Sequence, residues 1–186
     1  MKTKRFILLV VLTLGLFSFP RIYSQDVEKC IQAIREDYKT VKSQIASLQK
    51  DGYAGKFYCL HTIDNKYGKS YSAVGEYKKE IWFYYDYNNE QEDDYKPKLR
   101  MVVGTTKSAD RSIYFETLFS ESGEILFAFE QSDNMAKRLY YNKGQIIRYS
   151  ENNVDQKIDE ITDEIIWMSR TAEERKLRFE YFYAVE

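Results

Sequence analysis

Histidine is the residue that this sequence most clearly lacks, because His61 is the only one among 186 residues. A metal site built from several histidines is therefore excluded, and any acid or base role for histidine depends on this one side chain. No serine or cysteine nucleophile motif accompanies His61, which lies in the middle of a predicted strand. We interpret it as a structural or surface residue, and we expect neither a metal nor a cofactor.

Proline and glycine are also scarce, with two and eight residues respectively. No Gly/Ser-rich stretch interrupts the chain, and Pro97 is the only proline after Pro20, so the sequence contains no recognisable linker. The length that remains after the N-terminal segment fits one domain with a core of its own. We therefore predict a single domain over residues 25–186.

Long apolar runs are absent except at the beginning, where 14 residues from Phe6 to Phe19 follow a basic end and precede Pro20. This run is too short for a bilayer core, which needs about 20 residues. The order of basic, apolar and small residues predicts a cleavable signal peptide over residues 1–24, with the cut after Ser24. No cysteine directly follows that position, so we expect an exported, soluble product, periplasmic or secreted, without a lipid anchor or a membrane span.

Positive charge is not in excess. Removal of residues 1–24 takes away four basic residues and no acidic one, which moves the formal net charge from −1 to −5. An acidic chain without a clustered Lys/Arg face neutralises few phosphates, which argues against nucleic acid as the partner.

The two cysteines, Cys30 and Cys59, are too far apart in sequence for a C-x-x-C redox pair. Outside the cytoplasm they are able to form a disulfide, which would close a loop of roughly 30 residues and add about 3–4 kcal/mol. The alternative is two buried free thiols. The sequence leaves both open.

The mature chain begins with a helical pattern. From Asp26 to Lys50 the apolar residues recur at steps of three and four, and Asp51-Gly52 is a plausible stop. They are Val27, Ile31, Ile34, Tyr38, Val41, Ile45 and Leu48. One apolar stripe requires a covering layer, most simply a sheet.

After Gly55 the period changes to two, which predicts strands. The strand-like segments are Phe57–Ile63, Ile81–Tyr87, Leu99–Thr105, Ile113–Phe119, Ile125–Glu130, Arg138–Tyr141 and Ile146–Tyr149. Short polar turns separate the later segments, so antiparallel pairing is favoured.

Leu118–Leu126 aligns with Leu139–Ile147 at an offset of 21 residues, each copy reading as strand, turn and strand around Gly123 or Gly144. These copies resemble the aromatic-glycine hairpins of MORN-variant repeat proteins, and no function is carried over from that resemblance. Two copies predict a meander rather than a solenoid.

The end of the chain carries two patterns. Val154, Ile158, Ile161, Ile165 and Met168 fall at helical spacing. Leu177, Phe179, Tyr181, Tyr183 and Val185 alternate strictly, which favours a last strand from about Lys176 to Val185. The predicted fold class is therefore α+β, in which a long N-terminal helix packs on an antiparallel meander of about six to eight strands, with a C-terminal helix and a last strand.

Two segments partly match known functional motifs, but neither match is complete. Ser47-Leu48-Gln49-Lys50 matches the S-x-x-K nucleophile motif of β-lactamases, but the accompanying S-D-N and K-T-G elements are absent. Asp86-x-Asn88-x-Glu90 resembles the start of a calcium-binding EF-hand loop, but Gln91 and Pro97 stand where that loop needs Gly and Glu. With 29 acidic residues, no carboxylate pair stands out as a glycosidase candidate.

Aromatic content is high instead: 16% of the chain, including 17 tyrosines. Trp82, Tyr84, Tyr85 and Tyr87 lie on one predicted strand and are the candidate binding residues, because Tyr and Trp suit protein interfaces and sugar stacking. The structural alternative is that tyrosine simply stabilises half-exposed sheet faces.

The leading hypothesis is a non-enzymatic binding module whose partner is a protein or glycan outside the cytoplasm. The alternatives are a glycan-binding or glycan-hydrolysing protein and an inhibitor of an extracellular enzyme.

Overall fold

The polypeptide forms three layers, a helix on each side of one antiparallel sheet. The structure, a computed structural model, describes residues 19–51, 55–72, 75–87, 97–158 and 162–184. The helices are α1 (Phe19–Asp51) and α2 (Asp163–Ala184). The strands are β1 (Tyr58–Asp64), β2 (Ser70–Tyr71), β3 (Gly75–Glu76), β4 (Lys78–Tyr87), β5 (Pro97–Lys107), β6 (Ser112–Phe119), β7 (Ile125–Ser132), β8 (Met135–Asn142), β9 (Gln145–Glu151) and β10 (Val154–Gln156).

The main sheet has eight strands in the order β1-β4-β5-β6-β7-β8-β9-β10, and every pair is antiparallel. The small β2–β3 hairpin is inserted between β1 and β4 and forms a sheet of its own. The predicted fold class is confirmed in its N-terminal helix, its antiparallel meander and its C-terminal helix.

The two repeated hairpins exist as predicted. Lys143 and Gly144 connect β8 to β9 with φ of 51° and 73°, the mirror-image turn that matches strand twist. Gly123 adopts φ 81° between β6 and β7. Asn152 and Asn153 form a third turn of the Lys143–Gly144 kind, with φ of 48° and 68°.

That third turn corrects one prediction. Val154 begins the short strand β10, so it is not the first apolar residue of a helix. Ile165 and Met168 do belong to a helix, whereas Ile161 lies outside the described residues.

The predicted last strand is also wrong, because α2 continues without a break to Ala184. Phe179 is buried and its ring packs against Tyr183, four residues later, at 4.8 Å. Leu177 and Tyr181, which the alternating pattern grouped with them, point to solvent. The side chains that α2 buries are Ile165, Met168, Ala172 and Phe179, and their spacing is helical.

The two faces of the sheet have separate cores. Under α1, Ile31, Ile34, Val41 and Ile45 pack against side chains from β4 to β8. Under α2, the core includes Phe83, Val102, Phe115, Phe119 and Leu139. A sheet that is apolar on both faces must be covered on both faces, and each helix covers one.

Helix α1 crosses the sheet diagonally. Glu28 contacts Arg148 on β9, Lys42 contacts Glu116 on β6, and Gln49 reaches Tyr84 on β4. The helix begins at Phe19 among the described residues, so it includes both sides of the bond after Ser24 where cleavage is predicted.

Strand β5 has no side chain at Gly104, which pairs with Phe115. A Cβ built at this glycine would lie 2.3 Å from Cζ of Phe115 and 2.7 Å from the carbonyl oxygen of Glu80. The Phe115 ring therefore occupies the space above Gly104 and forms part of the core under α2.

We predict that Gly104→Ala destabilises the fold by about 1–3 kcal/mol, because the added methyl group overpacks this contact. Urea denaturation measures the change, and Thr105→Ala, next to it on β5, is the control with a smaller expected loss. Equal losses in the two variants would contradict the packing at Gly104.

Candidate functional site

The aromatic residues predicted to bind a partner do not share one face. Trp82 and Tyr84 lie under α1, whereas Tyr85 lies under α2. Tyr84 and Tyr85 are only 3% and 8% exposed, so their rings belong to the two cores. The side chain of Tyr87 lies outside the described residues, as does the acidic segment 88–94.

The surroundings of these rings explain their burial. The Tyr84 hydroxyl accepts a hydrogen bond from Nε2 of Gln49 at 3.1 Å, and burial raises the pKa of Tyr84 to about 12. Tyr85 packs against Phe179 at 5.3 Å. Trp82 is half-buried and stacks on His61, with 4.6 Å between ring centroids and 9° between planes. His61 is thus part of an aromatic stack at the edge of the sheet.

The two cysteines are free thiols. Cys30 lies on α1 two residues after Glu28, which contacts β9, whereas Cys59 lies on β1 at the opposite edge of the sheet. Six strand spacings separate β9 from β1, or about 29 Å. A disulfide needs Cα atoms within about 7 Å, so the open question of pairing is answered in favour of free thiols.

A cleft lies elsewhere, between α1 and strands β6 to β9, and we call it the arginine cleft. Its main part has a volume of about 310 Å³, and an adjoining part of about 290 Å³ shares Arg35, Arg138 and Tyr140 with it. Its lining residues are Ile34, Arg35, Tyr38, Lys39, Glu116, Phe127, Phe129, Arg138, Tyr140, Arg148, Ser150, Asn153 and Asp155.

The positions of the cations in this cleft follow from the periodicity of the strand and of the helix that carry them. Strand alternation turns Leu139 toward α2 and Arg138 toward α1. On α1, Arg35 and Lys39 are four residues apart and therefore share one side of the helix.

Arg138 is incompletely satisfied. Its guanidinium lies over the ring of Phe129, with Cζ 5.0 Å from the ring centroid. Its Nη1 atom is buried and, within the part of the chain that the structure describes, has no hydrogen-bond partner. A buried donor left without an acceptor costs about 1–3 kcal/mol.

Two further cations of the cleft have no carboxylate within ion-pair distance among the described residues, namely Arg35 and Lys39. Arg35 instead lies over the ring of Tyr140, 5.7 Å from its centroid. Arg148, in contrast, is paired: it contacts Glu28, and its Nε atom lies 3.3 Å from Asp155. The Arg148 hydrogen bond lowers the pKa of Glu28.

The carboxylate on the floor of the cleft is fully engaged elsewhere. Glu116 is 2% exposed and accepts hydrogen bonds from the Tyr38 hydroxyl at 2.5 Å, from Lys42 at 2.8 Å and from the Tyr114 hydroxyl. Burial and these bonds raise the pKa of both tyrosines. Glu116 is therefore neutralised by Lys42 and leaves the charge of Arg138 uncompensated.

A second cavity, of about 320 Å³, lies on the opposite face between α2 and strands β4 to β7, and we call it the α2 cavity. Its charged residues are Lys79, Glu130, Glu174, Arg175 and Arg178, and its other lining residues are Ile81, Thr106, Ile113, Phe115, Trp167 and Thr171. Burial raises the pKa of Glu130, although Arg175 and two other cations oppose the shift.

Sequence reasoning missed both clefts. The available signal was a charged residue at a strand position whose neighbours two residues away are apolar or aromatic, as with Arg138 between Ala136 and Tyr140. That signal becomes interpretable only once both sheet faces are known to be covered.

The chain matches no family model, no curated protein and no solved structure. Neither described helix has an apolar stretch long enough to cross a bilayer. Among the residues with described positions, no three His, Cys, Asp or Glu side chains form a metal-binding group.

We predict that Arg138→Leu stabilises the protein by about 1 kcal/mol, because it removes an unsatisfied buried donor and keeps apolar contact with Phe129. The matched control is Arg100→Leu. Like Arg138, Arg100 has one buried donor, Nε, without a partner among the described residues, but its Nη2 donates to both oxygens of Asp37, at 2.8 and 3.0 Å. Loss of that charged pair should cost about 1–3 kcal/mol. Urea denaturation measures the unfolding free energy of both variants. Comparable destabilisation of the two would mean that Arg138 has a partner in the folded protein.

For Glu130 the prediction concerns pH. Its pKa is raised in the folded state, so its contribution to stability is present below the ordinary value of 4.5 and is lost as pH rises through the folded value. Glu130→Gln should therefore gain stability relative to the wild type between pH 4 and pH 8. Unfolding curves at the two pH values measure the difference.

Glu116→Gln is the control for that experiment, because it should lose stability. Tyr38 donates to one carboxylate oxygen and Lys42 and Tyr114 donate to the other, and an amide nitrogen in place of either oxygen cannot accept. If Glu130→Gln instead lost stability relative to the wild type between pH 4 and pH 8, the raised pKa of Glu130 would be refuted.

Proposed function

We propose that this chain is an exported, non-enzymatic binding protein whose ligand places a carboxylate or phosphate in the arginine cleft. The observation that carries the proposal is the buried Nη1 atom of Arg138, which lacks an acceptor among the described residues. Guanidinium groups bind carboxylate and phosphate through paired, charge-assisted hydrogen bonds. An anion in the cleft would supply the missing acceptor.

The charge of the cleft supports an anionic ligand. Arg35, Lys39 and Arg138 have no ion-pair partner in the described part of the chain, whereas Glu116 is bound to Lys42 and Arg148 to Glu28 and Asp155. The positive excess is local, because the predicted mature chain is acidic overall. Such a local site favours one small anionic group over an extended polyanion.

The walls of the cleft support an apolar portion next to that anion. Phe127 lies edge-on to Tyr38 at 5.6 Å and tilted against Tyr140 at 5.0 Å, and Phe129 lies under Arg138. Aromatic walls with a few convergent polar groups are typical of small-ligand sites. The ligand is therefore an amphipathic anion, and the rings that contact it are those of the cleft rather than those of Tyr84 and Tyr85.

The absence of an enzymatic motif supports binding without chemistry. His61 stacks on Trp82 beside Glu80, with 3.8 Å between the imidazole and the carboxylate, and no nucleophile motif accompanies it. Ser47 donates to the carbonyl oxygen of Ser43 on its own helix, as a serine on an exposed helix face does.

Export is compatible with this fold. Cleavage after Ser24 leaves all the α1 side chains whose packing against the sheet is described, from Val27 onward, so these residues still cover the arginine cleft. The basic end, the 14-residue apolar run and the small residue before the cut support export, and the proposal of an external partner depends on them.

We predict that 3-phenylpropionate or 2-phenylethyl phosphate binds the protein, whereas uncharged 3-phenylpropanol binds at least tenfold more weakly. Isothermal titration calorimetry measures the affinities, and the two anions distinguish a carboxylate from a phosphate site. Arg138→Leu and Arg35→Ala should each weaken anion binding at least tenfold.

Arg170→Ala is the matched control, because Arg170 is exposed on α2, where it pairs with Glu174. It should bind like the wild type. Equal affinity for the alcohol and the anions, or unchanged binding by Arg138→Leu, would refute the proposed ligand class.

The export proposal predicts that the chain expressed in a bacterial host is recovered outside the cytoplasm with Gln25 at its N-terminus. Fractionation and N-terminal sequencing measure this, and Leu12→Arg, which interrupts the apolar run, should remain unprocessed in the cytoplasm. Recovery of both proteins at full length in the cytoplasm would contradict export.

A further inference from the structure

The α2 cavity is a second polar site, separated from the arginine cleft by the sheet. Its floor is apolar, formed by Ile81, Ile113 and Phe115, and its charged groups surround that floor. A volume of about 320 Å³ lies within the range of small-ligand pockets, about 300–1,000 Å³.

Glu130 is the buried acceptor of this cavity. It is 8% exposed, and within the described chain no donor is hydrogen-bonded to its carboxylate and no cation lies within ion-pair distance. A carboxylate offers about four acceptor positions, so a ligand with several hydroxyl groups would satisfy it.

Arg175 is the corresponding buried donor. Its guanidinium lies over the ring of Phe115 at 3.7 Å, and its Nη1 atom donates to the Thr117 hydroxyl at 3.3 Å. No carboxylate lies within ion-pair distance of it in the described ranges, and burial lowers its pKa to about 10. Most of its five donors are therefore available to a ligand.

Positive charge is in excess around the cavity. Burial lowers the pKa of Lys79, and repulsion from Arg178 and Arg175 lowers it further. Glu174 is already bound to Arg170 at 2.9 Å. Three cations therefore face one unpaired carboxylate, Glu130, and a ligand with one negative charge would reduce the positive excess of the site.

Trp167 stands at the rim of the cavity with 45% of its surface exposed. An indole combines a broad apolar face with one hydrogen-bond donor, which suits stacking against the C–H face of a sugar ring.

We propose that the α2 cavity binds a sugar that carries a carboxylate, a uronic acid, through Glu130, Arg175 and Lys79, with its ring on Trp167. The hydroxyl groups both donate to Glu130 and accept from Arg175. A simple inorganic anion would leave Glu130 without donors and add repulsion, and an apolar ligand would leave both buried groups unsatisfied. This inference does not depend on the arginine cleft.

The test is calorimetric titration of the intact chain with the trimers of galacturonic, glucuronic and mannuronic acid, each against its neutral hexose trimer. At least one acidic trimer should bind at least tenfold more tightly than its neutral counterpart. Trp167→Ala should weaken that binding at least tenfold, and Lys79→Gln should remove most of the preference for the acid.

Leu177→Ala is the matched control, because Leu177 is exposed on the same helix and does not line the cavity. Leu177→Ala and Arg35→Ala should both bind the acidic trimer like the wild type. Failure of all three acidic trimers to bind, equal binding of the neutral ones, or an unaffected Trp167→Ala variant would overturn the inference. Arg35 lines only the arginine cleft, so the experiments on the two sites give independent results.

Discussion

One sheet that is apolar on both faces determines how the rest of this protein is arranged. Side chains of β4 alternate between the cores, with Phe83 and Tyr85 under α2 and Tyr84 under α1. Because neither face can remain exposed to water, each requires a helix, and the two helices cross the sheet on opposite sides. The long N-terminal helix is therefore a structural cover, since without it Met101, Leu118 and Phe127 would be exposed.

Covering both faces also buries some charged residues of the strands, namely Arg100, Glu116 and Glu130. Some are paired with the covering helix: Arg100 with Asp37, although its buried Nε atom has no partner among the described residues, and Glu116 with Tyr38 and Lys42. Arg138 on one face and Glu130 on the other are not satisfied by any described side chain. Unsatisfied buried groups reduce stability, and perturbed groups that line a cleft are candidates for binding. The same architecture thus produces one candidate site on each face.

The sequence predicts the local features of this fold well where one period dominates. The stripe from Val27 to Leu48 forms α1, and Gly123 and Gly144 occupy the predicted turns. The residues from Leu177 to Tyr183 alternate as a strand does, but they form part of a helix. The second face of the sheet is covered by one helical stripe that includes Met168 and Phe179. This contact between helix and sheet is tertiary, so the local sequence alone does not predict it. The local sequence likewise does not show which tyrosines are buried. Tyr84 and Tyr85 were therefore predicted as binding residues, although they pack in the two cores.

The most direct test of the proposed ligand class is a crystal structure of the protein with 3-(4-bromophenyl)propionate, in which anomalous scattering locates the bromine. The carboxylate should lie within hydrogen-bond distance of Nη1 of Arg138, and the bromophenyl ring should lie among Phe127, Phe129 and Tyr140. An empty arginine cleft, or an Nη1 atom already bonded to an oxygen of the protein, would contradict this ligand class.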